Sequence, residues 1–544
     1  MSMNPVSPPA ELPREPMRWP KKLNLLLAIV VGLFIFWVWL KHEQAESSVE
    51  AYKRELLAKG ERLDLQELRP QMPKPEENAA SEFLAAAGKL KTYDASIHAD
   101  GKPLRFPFSA TDEMARPTSS TRARVAWQQP QMSTVELGTE KSTNAWPMWI
   151  AWTEVHRSAL RDGVKALDRP GWGVDINWDP RIERDEYPTG LEILFRALVT
   201  AVVVDLRHGR PAEAHTNLLA LTELLTRLDE PTTFLGGFRL LSMSRTASRA
   251  TWEALQYYNW TDEQLTELQH RWERTDLLKA LIRYLEQQRP LTIFFFDGHR
   301  RNTDKLGMFD TRRWLDSEVR PPEPAWNRLK KVPSEIAESI QMTWRLSIWP
   351  NWNSYHDEHH FLRMINSWLD LAREAHGHPN TFAAYRAIEG TSSKITKPPK
   401  AWLWSHVLNN EEQGTVALVA YHETIRRLTI TAIALERHRL RHGSYPASLA
   451  LLVPDVLREV PVDFQDTQPL RYRREANGEF LLWSVGKNGV DDGGNGNPVG
   501  APAGTRPKSP FGALDIVWPR PASHEEVSAL HAELAAERAK NPHR

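Results

Sequence analysis

Hydrophobic positions along the chain follow three rhythms, and each predicts a different kind of element. Residues Leu23 to Leu40 read LNLLLAIVVGLFIFWVWL, an apolar run in which Asn24 is the only polar side chain. A helix of that length rises about 27 Å at ~1.5 Å per residue, close to the thickness of a bilayer core. From about 146 to 442 the apolar residues recur at helical spacing, as in Leu191, Leu194, Leu198, Ala201 and Val202, then Leu218, Leu221, Leu225 and Leu228. After 468 the period falls to two. Leu470-Arg471-Tyr472-Arg473 and Phe480-Leu481-Leu482-Trp483-Ser484-Val485 flank an Asn477-Gly478 turn, which predicts a β-hairpin. The expected fold class is mainly α: a single N-terminal transmembrane helix, an irregular helical-hairpin domain, and a small α+β C-terminal module with an antiparallel sheet.

Local punctuation refines this reading. Arg207-His208-Gly209-Arg210-Pro211 stops one helix and starts the next, which predicts an antiparallel helical hairpin. The hairpin is like one tetratricopeptide unit, but no 34-residue period recurs, so a counted repeat is not expected. Thr261-Asp262-Glu263-Gln264 is a capping-box pattern, predicting a helix that runs to about Gln287. Further helices are expected over roughly 334–346, 352–375 and 412–442, and residues 289–325 read as a long break. Ser47–Lys59 is expected to continue the membrane helix outward, and Glu76–Leu90 to form a second helix. Residues 91–145 have no sustained period. The resulting division is a Pro-rich tail (1–22), the membrane span (23–40), a juxtamembrane helix and irregular segment (41–145), the helical-hairpin domain (146–411), the α+β module (412–522) and a helical tail (523–544).

Charge sets the orientation and removes one class of partner. Arg14, Arg18, Lys21 and Lys22 precede the apolar run, which keeps the N-terminus in the cytoplasm and sends the bulk outward. A cleaved signal peptide would have a shorter apolar core and a small-x-small site after it. Lys41-His42-Glu43-Gln44 offers none. Overall charge is balanced, 69 basic against 69 acidic residues, so no nucleic-acid partner is expected. The chain has no cysteine, which excludes disulfides, thiol catalysis and Cys-ligated zinc. Its 22 tryptophans are expected to be helix-packing anchors rather than a carbohydrate platform.

The hairpin after Asn477 opens into Gly486-Lys487-Asn488-Gly489-Val490-Asp491-Asp492-Gly493-Gly494, and a last short run follows at Leu514-Asp515-Ile516-Val517-Trp518. Clustered side-chain oxygens among glycines suggest a structural calcium loop, with Ser484, Asn488, Asp491, Asp492 and Asp515 as candidate ligands. The alternative is an acidic hairpin tip closed by hydrogen bonds. Upstream, a helix ends at Gly443-Ser444-Tyr445-Pro446, and a short helical piece is expected at Leu449–Leu457. This order resembles the C-terminal globular part of the major pseudopilin of type II secretion. In that family a helix ends in a Gly-x-Tyr/Phe-Pro step, and a Ser-Leu-Gly-x-Asp-Gly loop leads to a closing Asp-Asp-Ile strand. The matching positions are Gly443-Ser444-Tyr445-Pro446, Ser484-Val485-Gly486-Lys487-Asn488-Gly489 and Asp515-Ile516. The resemblance covers about 434–518 and implies calcium at the loop. Asn488 stands where the family often has Asp, and no pilin-type cleavage site precedes Leu23, so polymerisation as a pilus subunit is not expected. The wider chain also resembles a type of bacterial protein that joins an anchor, a helical middle and this tail. Gly60-Glu61-x-Leu63-Asp64, Pro73-x-Pro75-Glu76-Glu77-Asn78-Ala79-Ala80 and Tyr445-Pro446-x-Ser448-Leu449 carry that likeness, which implies this architecture and no particular activity; the expected location is the bacterial inner membrane, with one span.

Catalytic signals are sparse. His356 and His360 in His356-Asp357-Glu358-His359-His360 are four apart, as zinc ligands are in His-Glu-x-x-His proteases. Asp357 is shorter than the usual Glu, and no third ligand is evident. No nucleophile elbow, phosphate loop or dinucleotide fingerprint is present. The expected function is a membrane-anchored extracytoplasmic scaffold or binding protein with a protein partner. The alternative is an extracytoplasmic hydrolase with a site between helices.

Overall fold

The computed structural model describes residues 21–90, 123, 125–129, 146–175, 189–228, 234–257, 259–301, 354–377, 403–486, 488–497, 513–522 and 525. Ten α-helices lie among them. They are α1 (Lys21–Ala58), α2 (Ala79–Lys89), α3 (Trp146–Ala166), α4 (Thr189–Arg207), α5 (Pro211–Arg227), α6 (Phe234–Leu255), α7 (Asp262–Arg274), α8 (Leu277–Arg300), α9 (Ser354–Gly377) and α10 (Leu403–His442). Three strands follow them: β1 (Arg471–Arg474), β2 (Phe480–Val485) and β3 (Asp515–Val517). The fold is mainly helical with one small antiparallel sheet in the order β1-β2-β3.

Local chemistry sets several boundaries. Gly209 takes φ +65 between α4 and α5, a left-handed step that glycine adopts without a Cβ penalty. Pro211 then begins α5, where its missing N–H leaves no bond unmade. The two helices pack against each other. Buried Asp205 on α4 ties them by accepting from Asn217 on α5 at 3.3 Å, and it also accepts from Arg157 on α3 at 2.8 Å. The capping box at α7 is complete: the Gln264 backbone N–H donates to the Thr261 hydroxyl, and the Gln264 side chain accepts from the Thr261 N–H.

Two expectations require correction. The helix beginning at Thr261 does not reach Gln287. Thr275 turns extended after α7, and Asp276 starts α8 by accepting from the Lys279 N–H at 2.9 Å. The break expected from 289 does not begin there either, since α8 passes through Pro290 to Arg300. Proline removes one helical hydrogen bond, but Leu285, Leu291, Phe295 and Phe296 are all buried around it, and that packing outweighs the loss. The expected piece at Leu449–Leu457 is a shorter 3-10 turn, Leu449–Leu452. The helix expected over 334–346 and nearly all of 91–145 and 523–544 lie outside the described residues.

One hydrophobic core runs from Phe83 on α2 to Trp518 just past β3. Within it α4 packs on α2, α3, α5 and α6, while α10 packs on α6, α7, α8 and α9. Trp149, Trp252, Trp272 and Trp368 are among the largest fully buried side chains. Two of these indoles make hydrogen bonds across the core: Trp252 donates to Pro519 O at 2.8 Å and Trp272 to the Thr251 hydroxyl at 3.1 Å. A strap at 125–129 crosses the same face. Both oxygens of buried Glu253 accept from the Ala126 N–H, and burial pushes that carboxyl up to about 8. Just before the strap, the Ala123 N–H donates to Arg520 O at 2.7 Å, tying the end of the sheet module to the helices.

The hairpin pairs Arg471 with Trp483 and Arg474 with Phe480, and β3 pairs Val517 with Trp483. Gly478 takes φ +84 in the turn. Leu482 and Ile516 face the main core on α10, while Leu481, Trp483 and Val517 form a second small cluster on the other face.

Helix α1 contains the expected span Leu23–Leu40. Ile29, Val30, Leu33, Phe36, Trp37 and Trp39 on it are exposed. Side chains of residues 23–28, 31, 34, 35 and 38 lie outside the described residues. Among the described residues no helix is long and apolar enough to cross a membrane.

Candidate functional site

The five residues singled out for calcium fall at one end of the sheet, where Asn488, Asp492 and Asp515 are joined by hydrogen bonds while Ser484 and Asp491 have other partners. Ser484, at the end of β2, donates its hydroxyl to Asp463 at 2.6 Å. Asp463 is fully buried and also accepts from Val485 N–H, Gln465 N–H and Arg471, each at 2.9 Å. Asp463 carries no motif signal in the sequence, yet it anchors this corner. Asp515, which opens β3, accepts from the backbone N–H groups of Asp492 (3.3 Å), Gly494 (2.9 Å) and Asn495 (2.8 Å). Asp491 accepts from the Trp483 indole at 2.9 Å and from Gly493 N–H at 3.0 Å. Asn488 donates to Asp492 at 2.7 Å.

Calcium needs six to eight oxygens pointing at one centre. Here the atoms aimed at Asp515 are N–H donors, and Ser484 is turned toward Asp463. The described residues therefore do not fit a calcium cage built from all five candidates; Lys487 lies outside the described residues. Among the described residues no three His, Cys, Asp or Glu gather as a metal would require. What the arrangement does is close the loop on the sheet. Gly486 is essential to that closure, because a Cβ there would lie 2.0 Å from Leu514 O.

The histidine pair falls at a helix junction. On α1, Ala45, Val49 and Leu56 are buried, a one-face spacing, and α1 packs on α9. Between the two helices the Ser48 hydroxyl meets His359 Nδ1 at 3.2 Å, and Tyr355 donates to Glu46 at 3.1 Å. Burial lowers the pKa of His356, His359 and His360, with nearby cations adding to it. Glu358, the residue between them, has no exposed side-chain surface and pairs with Lys53 of α1 at 2.8 Å and Arg300 of α8 at 2.5 Å. One turn beyond the end of α1, Glu61 pairs with Arg373 at 2.5 Å and buried Arg289 at 2.7 Å. The Arg373 hydrogen bond is the main force holding Glu61 down to about 2. These chemistry-bearing groups dock α1 onto the domain.

A cleft of about 420 Å³ opens between α3, α5 and α7. Val164, Leu167, Leu219 and Ala220 supply apolar lining, and Asp168, Glu223, Arg227, Arg271 and Arg274 supply charged lining. The size is that of a small-ligand pocket. Helical periodicity alone does not reveal it, because its walls come from three helices.

No protein-family model, curated protein or solved structure matches the chain. The pseudopilin likeness thus rests on the quoted residues alone.

Proposed function

We propose that the chain is a membrane-anchored extracytoplasmic scaffold or binding protein, held in a bacterial inner membrane by the first half of α1. The observation that carries this reading is the change of surroundings along one uninterrupted helix. Leu33 and Phe36 are 63% and 57% exposed, whereas Val49 is 0% exposed and packed on the domain. Large exposed apolar side chains crowded on one stretch of helix suit lipid, and Arg14, Arg18, Lys21 and Lys22 ahead of them suit a cytoplasmic N-terminus. The docked second half would then hold the helical domain in a fixed position above the membrane. An array of packed helices with a cleft supports the binding of a partner.

The C-terminal module is read as a self-closed structural cap, in which Asp515 replaces a cation as the organiser of the loop. Protease added to spheroplasts should digest the domain beyond residue 45. Protection of that domain until lysis would refute the anchored, outward orientation.

A further inference from the structure

The geometry points to the α3–α5–α7 cleft as a binding site for a small organic carboxylate with an apolar body. It rests on reading the helical domain as a binding unit, and it supplies that unit with a ligand class.

The argument begins with Glu223, whose side chain is 7% exposed. Its two oxygens are each taken by one charged hydrogen bond, from Arg227 Nε at 2.7 Å and Arg271 Nη1 at 2.6 Å. Arg227 has little left to offer a ligand. Its Nη1 donates to Pro170 O and its Nη2 reaches Leu167 O at 3.4 Å, so it pins the end of α3 to α5. Arg271 and Arg274 differ. Arg271 Nη2 lies 3.6 Å from half-exposed Glu267, and Arg274 Nη1 lies 3.7 Å from Glu223. Both separations exceed hydrogen-bond length. The Arg274 side chain is 63% exposed.

Two guanidinium groups on one helix, three residues apart, thus face the cleft with donor capacity to spare. The lining holds three arginines against two carboxylates, Glu223 and Asp168. Glu267 does not reverse the balance locally, because an exposed pair at that distance is weak. A guanidinium fork matches the two oxygens of a carboxylate. The apolar part of the lining, chiefly the half-buried Val164 and Leu219 with Leu167 and Ala220 behind them, would take the hydrocarbon part. A bare inorganic anion would leave the apolar lining uncovered, and a neutral apolar molecule would leave the remaining Arg271 and Arg274 donors unused.

The test uses the full chain in lipid nanodiscs and isothermal titration calorimetry, which does not depend on membrane orientation. The probes are 4-phenylbutyrate, its neutral amide, and inorganic phosphate. Phenylbutyrate should bind about tenfold more tightly than the amide, since a charge-assisted hydrogen bond is lost with the charge. It should also bind more tightly than phosphate. Arg274→Gln, at a position 63% exposed, should weaken phenylbutyrate by about tenfold and leave the amide unchanged. Asp168→Asn removes a like charge from the lining and should tighten phenylbutyrate, a gain that damage to the fold would not produce. No heat of binding with phenylbutyrate, equal affinity for acid and amide, or equal affinity of wild type and Arg274→Gln would each overturn the assignment. Any of these could occur with the anchor intact, and a failed topology test would leave the cleft result standing.

Discussion

Replacing Glu358 by Leu tests whether α1 is held to the domain by charge as well as by packing. The carboxylate has no exposed surface, and its two partners come from different helices: Lys53, 12% exposed on α1, and Arg300, 10% exposed on α8. At an effective dielectric of ~20, each attraction at these separations is worth about 6 kcal/mol before desolvation. Desolvation of the three groups cancels most of that, and breaking such a buried set by removing one member costs about 3–5 kcal/mol. The lower end applies here, because Lys53 keeps Glu50 at 2.9 Å and Arg300 keeps Asp297 at 2.6 Å. Glu358→Leu should therefore destabilise by about 3 kcal/mol, most of it from stranded cations rather than from a lost bond. Adding Lys53→Met should recover at least about 1 kcal/mol, a coupling that a thermal-unfolding double-mutant cycle resolves. Trypsin cleavage at Arg54 and Lys59 should rise in the single variant as α1 undocks, and fall back in the double. If Glu358→Leu lies within about 0.5 kcal/mol of wild type, or if the two substitutions add independently, the charged node does not hold the junction.

Three further outcomes follow from the C-terminal module and the core. Gly486→Ala should lower the melting temperature more than Gly478→Ala. The first Cβ meets a backbone carbonyl at 2.0 Å and forces β3 away, while the second only strains a turn at φ +84 by ~1 kcal/mol. The melting temperature should be the same in calcium and in chelator, and Asp515→Ala should lower it in both; a calcium-dependent rise lost in that variant would restore the cation reading. His422 is buried, and burial, aided by the Arg245 charge, holds its imidazole down to about 3. The unfolded chain then binds the extra proton between pH 3 and the ordinary value of 6.5, so stability falls as pH drops through that window. Wild type should lose up to about 4–5 kcal/mol there relative to His422→Leu; parallel acid-unfolding curves would refute this.

What was legible in the chain was whatever depends on near neighbours. Gly209-Arg210-Pro211, the Thr261–Gln264 box and the Asn477-Gly478 turn are local devices, and each stands where the pattern places it. The strand Phe480–Val485 also matches, although both of its faces are covered and its burial is nearly continuous. The continuation of α8 through Pro290 was not legible, since it depends on partners such as α9 far along the chain. The Asp276 start of α8 was hidden for a different reason: a lone Asp without an acid or amide three residues on is a weak cap signal. For the site, the sequence singled out the end of the sheet where these side chains stand, but not the hydrogen bonds that they make there. Whether Asp515 meets a cation or three N–H groups depends on how the 491–495 backbone turns, and glycines leave that open. Asp463, and the meeting of Lys53, Arg300 and Glu358, arise from contacts between distant segments that no single-sequence period records.

The anchored orientation of α1 is tested most directly by single-cysteine labelling, because the chain has no cysteine of its own. Val155, 77% exposed on α3, and Ser7, in the segment before α1, would each be changed to Cys. A membrane-impermeant maleimide should label Val155→Cys in intact spheroplasts and Ser7→Cys only after lysis. Labelling of both before lysis, or of Ser7→Cys alone, would contradict the account.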